Sequence, residues 1–369
     1  MLSLLLLASC LQDGPSDRWD RLRPLFETPE GYRGKLAPYD KVLRFDDGTP
    51  VTSAEDWPRR REEIRKYWFD TIGHWPPLLE KPEAQVKETV ELDGYTRRKI
   101  RLQTAPQTHW DVYLLVPRGE GPFPAVVVVG YTSEDGAGIG KRHQEALAAA
   151  ADPTTVKPSS LGTRLAETGV AVLAFGGGSS SKDIQPLSSL AYQAANVHRY
   201  LSGCPEIDGR RIGIFGHSFG GKWALFASAL YDRFVCAVWS DPGIVWNEKD
   251  ANANYWEPWY LGMEPNVKRT PGKVTPENPR TGAYKKMLAD GRDLHDLHAL
   301  MAPRPFLVTG GKQGQDPPDR WIVLNNVRAL YEMLGRTPLV GMHTRPGHPN
   351  TPESLEASFD FFHHVLRPN

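Results

Sequence analysis

The segment Gly216-His217-Ser218-Phe219-Gly220 has the G-x-S-x-G pattern, with an apolar run before it and a helical pattern after it. In that strand–turn–helix setting the glycines let the backbone turn sharply where side chains would clash, and the turn presents Ser218 at the start of a helix. A helix N-terminus favours the negative charge that develops during attack on a carbonyl. A serine hydroxyl attacks only when a base removes its proton, and the base needs an acid to orient it. With this motif the acid and then the histidine follow the serine along the chain. His348 lies in the Gly/Pro-rich loop Arg345-Pro-Gly-His-Pro-Asn and is the expected base; His343 falls inside an expected strand. Two acids compete. Asp316 comes first after the glycines of Thr309-Gly-Gly-Lys-Gln-Gly-Gln-Asp and is preferred; Asp241, in Trp239-Ser-Asp-Pro-Gly, is the alternative. Asp316-Pro also reads as a helix cap. The oxyanion of a tetrahedral intermediate needs donors, and the backbone N–H groups of Phe219 and Tyr131 stand at the expected places.

Those residues need a scaffold of parallel strands. Apolar, β-branched runs alternate with helical patterns, and Ala125–Val129 is a continuous apolar run suited to a strand covered on both faces. Residues 97–103 and 111–116 read as an opening hairpin, and runs at 170–175, 211–215, 234–239, 306–309 and 339–343 complete about eight strands. Helices are expected at 161–168, 190–201, 222–231, 321–334 and 353–366. This pattern predicts an α/β-hydrolase fold: a mostly parallel sheet flanked by helices over residues 94–369. Residues 13–93 read as an N-terminal extension packed on that core, with one helix at 54–69 capped by Ser53. A long insertion, about residues 241–302, follows the sixth strand.

Lys plus Arg balances Asp plus Glu at 44 each, so no global field favours nucleic acid or an anionic membrane. The first ten residues, Met1 to Cys10, form an apolar run too short to span a bilayer. Residues 1–12 look like the end of a signal peptide, and Leu7-Ala-Ser-Cys10 resembles a lipoprotein box with Cys10 as the lipidated residue. The expectation is export to the periplasm, cell surface or medium; a misplaced start would leave the protein cytoplasmic. Cys204 and Cys236 fall at one edge of the sheet, where a disulfide and two free thiols are both open.

Trp239, Trp246, Trp256 and Trp259, with Tyr255 and Tyr260, crowd the segment beginning at the sixth strand. They suit either stacking on sugar rings at the site or an aromatic core for the insertion. Gly176-Gly-Gly-Ser-Ser-Ser lacks the lysine and spacing of a phosphate loop. Asp293-Leu-His-Asp-Leu-His298 lacks a third spaced ligand and is not read as a metal site. His363 and His364 read as surface residues of the last helix. The chemistry needs no metal and no organic cofactor.

From about Leu190 onward the chain resembles bacterial carbohydrate esterases close to the glucuronoyl esterases. The matching segments are Gly216-His-Ser-Phe-Gly-Gly-Lys222, Asn254-Tyr-Trp-Glu, Asp293-Leu-His295, Ala299-Leu-Met-Ala-Pro-Arg-Pro305 and Arg345-Pro-Gly-His348. The resemblance implies that Lys222 contacts sugar hydroxyls, that Trp256 lies near a sugar-contacting tryptophan, and that His295 belongs with the substrate-binding residues. It also places Asp241 near an acid that some members carry after the sixth strand. One departure matters: glucuronoyl esterases carry Arg after the nucleophile, and here that residue is Phe219. Trp57-Pro-Arg-Arg-Arg-Glu-Glu-Ile looks like hydrolases described as acetyl xylan esterase-like. The expected function is therefore carbohydrate ester hydrolysis by a serine carboxylesterase. A prolyl oligopeptidase-type peptidase shares the triad but usually carries a β-propeller, which residues 13–93 are too few to form. A glycan-binding protein with an inactive hydrolase fold is the alternative from another class.

Overall fold

The computed structural model describes residues 15–152 and 156–367. The leader and the lipid-anchor reading of Cys10 lie outside the described residues. Among the described residues nine strands form one sheet in the order β1-β2-β3-β5-β4-β6-β7-β8-β9. The first three, β1 (Ala84–Leu92), β2 (Tyr95–Ala105) and β3 (Thr108–Pro117), are antiparallel, and β3 also runs antiparallel to β5 (Ala171–Gly176). From β5 onward the sheet is parallel through β4 (Phe123–Gly130), β6 (Ile207–His217), β7 (Ala237–Ser240), β8 (Phe306–Gly311) and β9 (Val340–Arg345). Every expected strand is present, and β1 is the addition.

The central position of β4 follows from its sequence. Its side chains alternate between the faces, so Val127 and Val129 join one apolar cluster and Val126 and Val128 the other. The first cluster packs against α6 (Pro186–Ser202), α7 (Phe219–Leu230) and α10 (Trp321–Met333). Between β4 and β5 come α3 (Ser133–Gly136), α4 (Lys141–Ala149) and α5 (Leu161–Glu167), and the second cluster lies under α1 (Pro15–Leu22), α5 and α11 (Pro352–Leu366). Arg21 on α1 grips Asp360 on α11 through two hydrogen bonds of 2.7 and 2.8 Å, a bidentate pairing that fixes the short first helix.

The segment before the sheet wraps onto the insertion. Its helix α2 spans Trp57–Ile72, three residues later than the expected start. Ser53 does not cap it: its backbone N–H donates to Asp56 Oδ2 at 3.1 Å, as Thr52 N–H does at 2.9 Å. Trp68 on α2 donates to Asp296, and Tyr67 and Tyr39 donate to Asp290 and Asp293, at 3.2, 2.6 and 2.8 Å. The insertion between β7 and β8 carries α8 (Gly282–Ala289) and α9 (His295–Leu300).

The insertion's aromatic residues are mostly interior. Trp239 stacks on Phe306 with ring centroids 4.3 Å apart, and Trp246 donates to the Arg292 carbonyl at 2.8 Å. Tyr255, Trp256 and Tyr260 are buried, whereas Trp259 is exposed. Cys204 and Cys236 are free thiols. His363 is buried, contrary to the surface expectation, and meets Thr168 Oγ1 at 2.9 Å, while His364 stacks on Trp19. No helix among the described residues is long and apolar enough to cross a membrane.

Candidate active site

Ser218 sits between β6 and α7 with φ +56° and ψ −113°, a conformation that a residue with a side chain adopts only when its surroundings impose it. The imposing contacts are visible. Ser218 N–H donates to the Ser240 carbonyl at 2.8 Å, tying the turn to the neighbouring strand. A Cβ on Gly216 would fall on the Gly220 carbonyl, and one on Gly220 would fall on the Val129 carbonyl. Only glycine lets the turn close this tightly.

His348 follows β9 and is brought back over Ser218. Its Nε2 accepts from Ser218 Oγ at 2.9 Å, and its Nδ1 donates to Asp241 Oδ2 at 2.6 Å. The loop is held by Arg345, whose buried guanidinium donates to the carbonyls of His348, Gly347 and Thr309 at 2.6, 3.0 and 2.6 Å. Neither Arg345 nor this clamp was assigned a role in the sequence.

The acid in contact with His348 is Asp241, not Asp316. Asp241 has φ +50°, and its carboxylate also accepts N–H groups from Gly311, Gln315 and Asp316 at 3.2, 3.1 and 2.8 Å. Burial alone would raise its pKa. The hydrogen bond from His348 and the backbone N–H groups of Gln315 and Asp316 outweigh that and hold it below the ordinary carboxylate value. Asp316 faces the other way. Its oxygens accept Gly243 N–H at 2.8 Å and Ile244 N–H at 2.6 Å, fastening the loop that carries Asp241. Burial and the neighbouring Asp241 charge push the Asp316 carboxyl up. The two acids therefore divide the work: one faces the imidazole and the other braces the loop.

A second imidazole stands beside the first. The His217 and His348 rings are 4.8 Å apart, and His217 Nδ1 meets Ser240 Oγ at 3.0 Å. Ser240 donates its own proton to Asn350 Oδ1 at 2.7 Å, so His217 Nδ1 is the donor in their pair. Burial above all lowers the His217 pKa to about 4, which keeps this ring neutral. Phe219 is the first residue of α7, so its N–H has no intrahelical partner. Tyr131 follows the end of β4, and its ring lies 4.9 Å from that of Phe219.

The substrate contacts carried over by resemblance do not fit their positions. Lys222 is buried, and its ammonium donates to the Pro242 carbonyl, Gln315 Oε1 and the Asn252 carbonyl at 2.6, 2.6 and 3.2 Å. All three protons are thus used inside the protein. Burial lowers its pKa to about 7. Trp256 is buried and donates to the Gly272 carbonyl at 2.9 Å. His295 is buried on α9, stacked on Tyr39 at 3.9 Å and 8°, with no hydrogen-bond partner for either ring nitrogen. Its burial against Tyr39 sets it in the packing between insertion and extension. Among the described residues, no group of three or more His, Cys, Asp or Glu is arranged to hold a metal.

Nucleophile elbow, histidine loop and parallel sheet together match known proteins. A model of the prolyl oligopeptidase family matches residues 191–288, the stretch that includes the elbow. A glucuronoyl esterase from Solibacter usitatus superposes with a TM-score of 0.65 at 20% identity, covering 90% of this chain and 100% of that one. The chain has the α/β-hydrolase fold. Sequence comparison finds the 4-O-methyl-glucuronoyl methylesterase of Neurospora crassa, 25% identical over 314 residues, 82% of this chain and 74% of the relative. That of Schizophyllum commune is 22% identical over 363 residues, 91% of this chain and 83% of the relative. The chain therefore resembles glucuronoyl methylesterases over most of its length.

Proposed function

We propose that this α/β-hydrolase is a serine carboxylesterase that cleaves an ester on a carbohydrate. The observation that carries the reading is the hydrogen-bonded chain Ser218–His348–Asp241, held at the end of a parallel sheet. Ser218 Oγ attacks the ester carbonyl carbon while His348 Nε2 takes its proton, and Asp241 stabilises the imidazolium that forms. The N–H groups of Phe219 and Tyr131 receive the oxyanion. Collapse expels the alcohol, which takes the proton from His348, and water then releases the acid from Ser218 by the same steps in reverse. The substrate class follows the glucuronoyl methylesterases to which the chain is similar. A polysaccharide substrate suits an exported protein, in keeping with the leader-like residues 1–12.

The test is hydrolysis of p-nitrophenyl acetate, acetylated xylan and a benzyl glucuronate ester by wild type and Ser218→Ala. Turnover of a carbohydrate ester by wild type, lowered by about 10⁴ or more in the variant, is the expected result. The match to the prolyl oligopeptidase family gives a second reading, a peptidase. Cleavage of a proline-containing peptide with no ester turnover would favour it.

A further inference from the structure

We propose that the acyl side of this site takes an aromatic acyl group of the hydroxycinnamoyl class, esterified to a sugar hydroxyl. The proposal rests on the serine esterase reading and narrows its substrate. The leaving alcohol receives its proton from His348 Nε2, so it lies on the side where His217 and His348 stand together. The acyl group is left with the Phe219 side of Ser218. There the Phe219 ring lies 4.9 Å from Tyr131 and 6.2 Å from Tyr260, which is itself 6.2 Å from Trp259. Among the described residues five large apolar side chains are strongly exposed; the two aromatic ones, Tyr131 at 69% and Trp259 at 45%, are the ends of this arc. Aromatic rings linked to the residue after the nucleophile and open to solvent at both ends form a surface that an apolar ligand group can cover.

The chemistry of the face selects its occupant. A uronoyl ring carries hydroxyls along its rim, and each needs a polar partner once water is removed. Two of the polar contacts a uronoyl ring would use do not reach it: Lys222 has spent its three protons inside the protein, and the residue after the nucleophile is Phe219. Trp256 is only 1% exposed. An acetyl group is too small to cover both Tyr131 and Trp259. A flat phenyl ring with a short unsaturated link pairs with such rings in offset or edge geometry without needing new donors. In the reaction the Ser218 Oγ–acyl bond forms as the ester C–O bond to the sugar breaks, and the Ser218 proton passes through His348 to the sugar oxygen. Water then frees Ser218 and a hydroxycinnamic acid.

The experiment compares kcat/KM of the full chain on a feruloylated arabinose, a benzyl glucuronate ester and p-nitrophenyl acetate, with Tyr131→Leu and Trp259→Leu alongside. Both positions are exposed, and circular dichroism verifies the fold of each variant. The proposal expects the feruloyl ester to be the best carbohydrate substrate. It also expects each variant to lower the feruloyl-to-acetate ratio of kcat/KM by about tenfold, chiefly through KM. Turnover of the glucuronate or acetate ester without the feruloyl one overturns the inference and leaves the esterase reading standing. A fall in both substrates by the same factor also overturns it. Inertness on all three esters overturns the inference together with the esterase reading.

Discussion

Two carboxylates lie within one loop cluster, and only their hydrogen bonds tell them apart. Asp241 accepts from His348 Nδ1, whereas Asp316 accepts only backbone N–H groups of the loop that carries Asp241. Replacing Asp241 by Asn leaves an amide where the imidazolium needs a charge, and kcat/KM for p-nitrophenyl acetate is expected to fall by about 10³–10⁴. Asp316→Asn keeps one acceptor for the Gly243 and Ile244 N–H groups, so the expected loss is below about tenfold, measured in the same assay. The reverse order would make Asp316 the acid. In the sequence the two look alike, Ser-Asp-Pro-Gly and Gln-Asp-Pro-Pro, and each follows a strand. What separates them is a loop conformation, Asp241 at φ +50°, which no residue type announces. Ser218 and His348 were legible because their loops carry Gly and Pro at fixed offsets. The burial of Lys222, Trp256 and His295 was not legible, since it is set by what packs over them.

The elements that deliver these residues are set by close backbone approach. Gly220 lies in the first turn of α7 against the end of β4, and a methyl group there would meet the Val129 carbonyl. Gly220→Ala is expected to cost at least about 2 kcal/mol, read as a lower urea midpoint, because neither backbone can give way without disturbing the sheet. Gly178 is the control: a methyl group there would have nothing within 4 Å, its φ is not positive, and Gly178→Ala should unfold like wild type. The central strands were readable from apolar runs covered on both faces. Strand β1 was not: the alternation of Ala84, Val86, Val90 and Leu92 is interrupted by Glu88, a register shift separates Val86 from Glu88, and the strand is exposed almost throughout. It is a strand because β2 offers it a hydrogen-bonding edge, a tertiary cause.

Across the molecule, extension and insertion are joined by aromatic and acidic side chains with a buried histidine between them. His295 is stacked on Tyr39, and burial lowers its pKa to about 4, with the Asp296, Arg292, Lys41 and Arg60 charges as smaller influences. In the unfolded chain a histidine titrates near about 6.5. Between those values the unfolded state binds a proton that the folded state does not. The His295 contribution to stability is therefore full above the unfolded value and lost as pH falls toward about 4, at about 1.4 kcal/mol per pH unit. His295→Phe keeps a flat ring against Tyr39 and removes the titration. Its urea midpoint should fall less between pH 7 and pH 5 than that of wild type. An equal fall in both would show that His295 is not held neutral. The fold class was readable from the alternation of strand and helix patterns. The way the extension braces the insertion was not, because it depends on pairs such as Trp68–Asp296 far apart in sequence.

The most direct test of the account is labelling with a fluorophosphonate, which reacts with an activated serine and needs no knowledge of the substrate. Peptide mapping of the labelled wild type should find the adduct on Ser218. Asp241→Asn should slow labelling strongly while Asp316→Asn changes it little. An adduct on another residue, no adduct at all, or slowing by Asp316→Asn in place of Asp241→Asn would contradict the Ser218–His348–Asp241 mechanism.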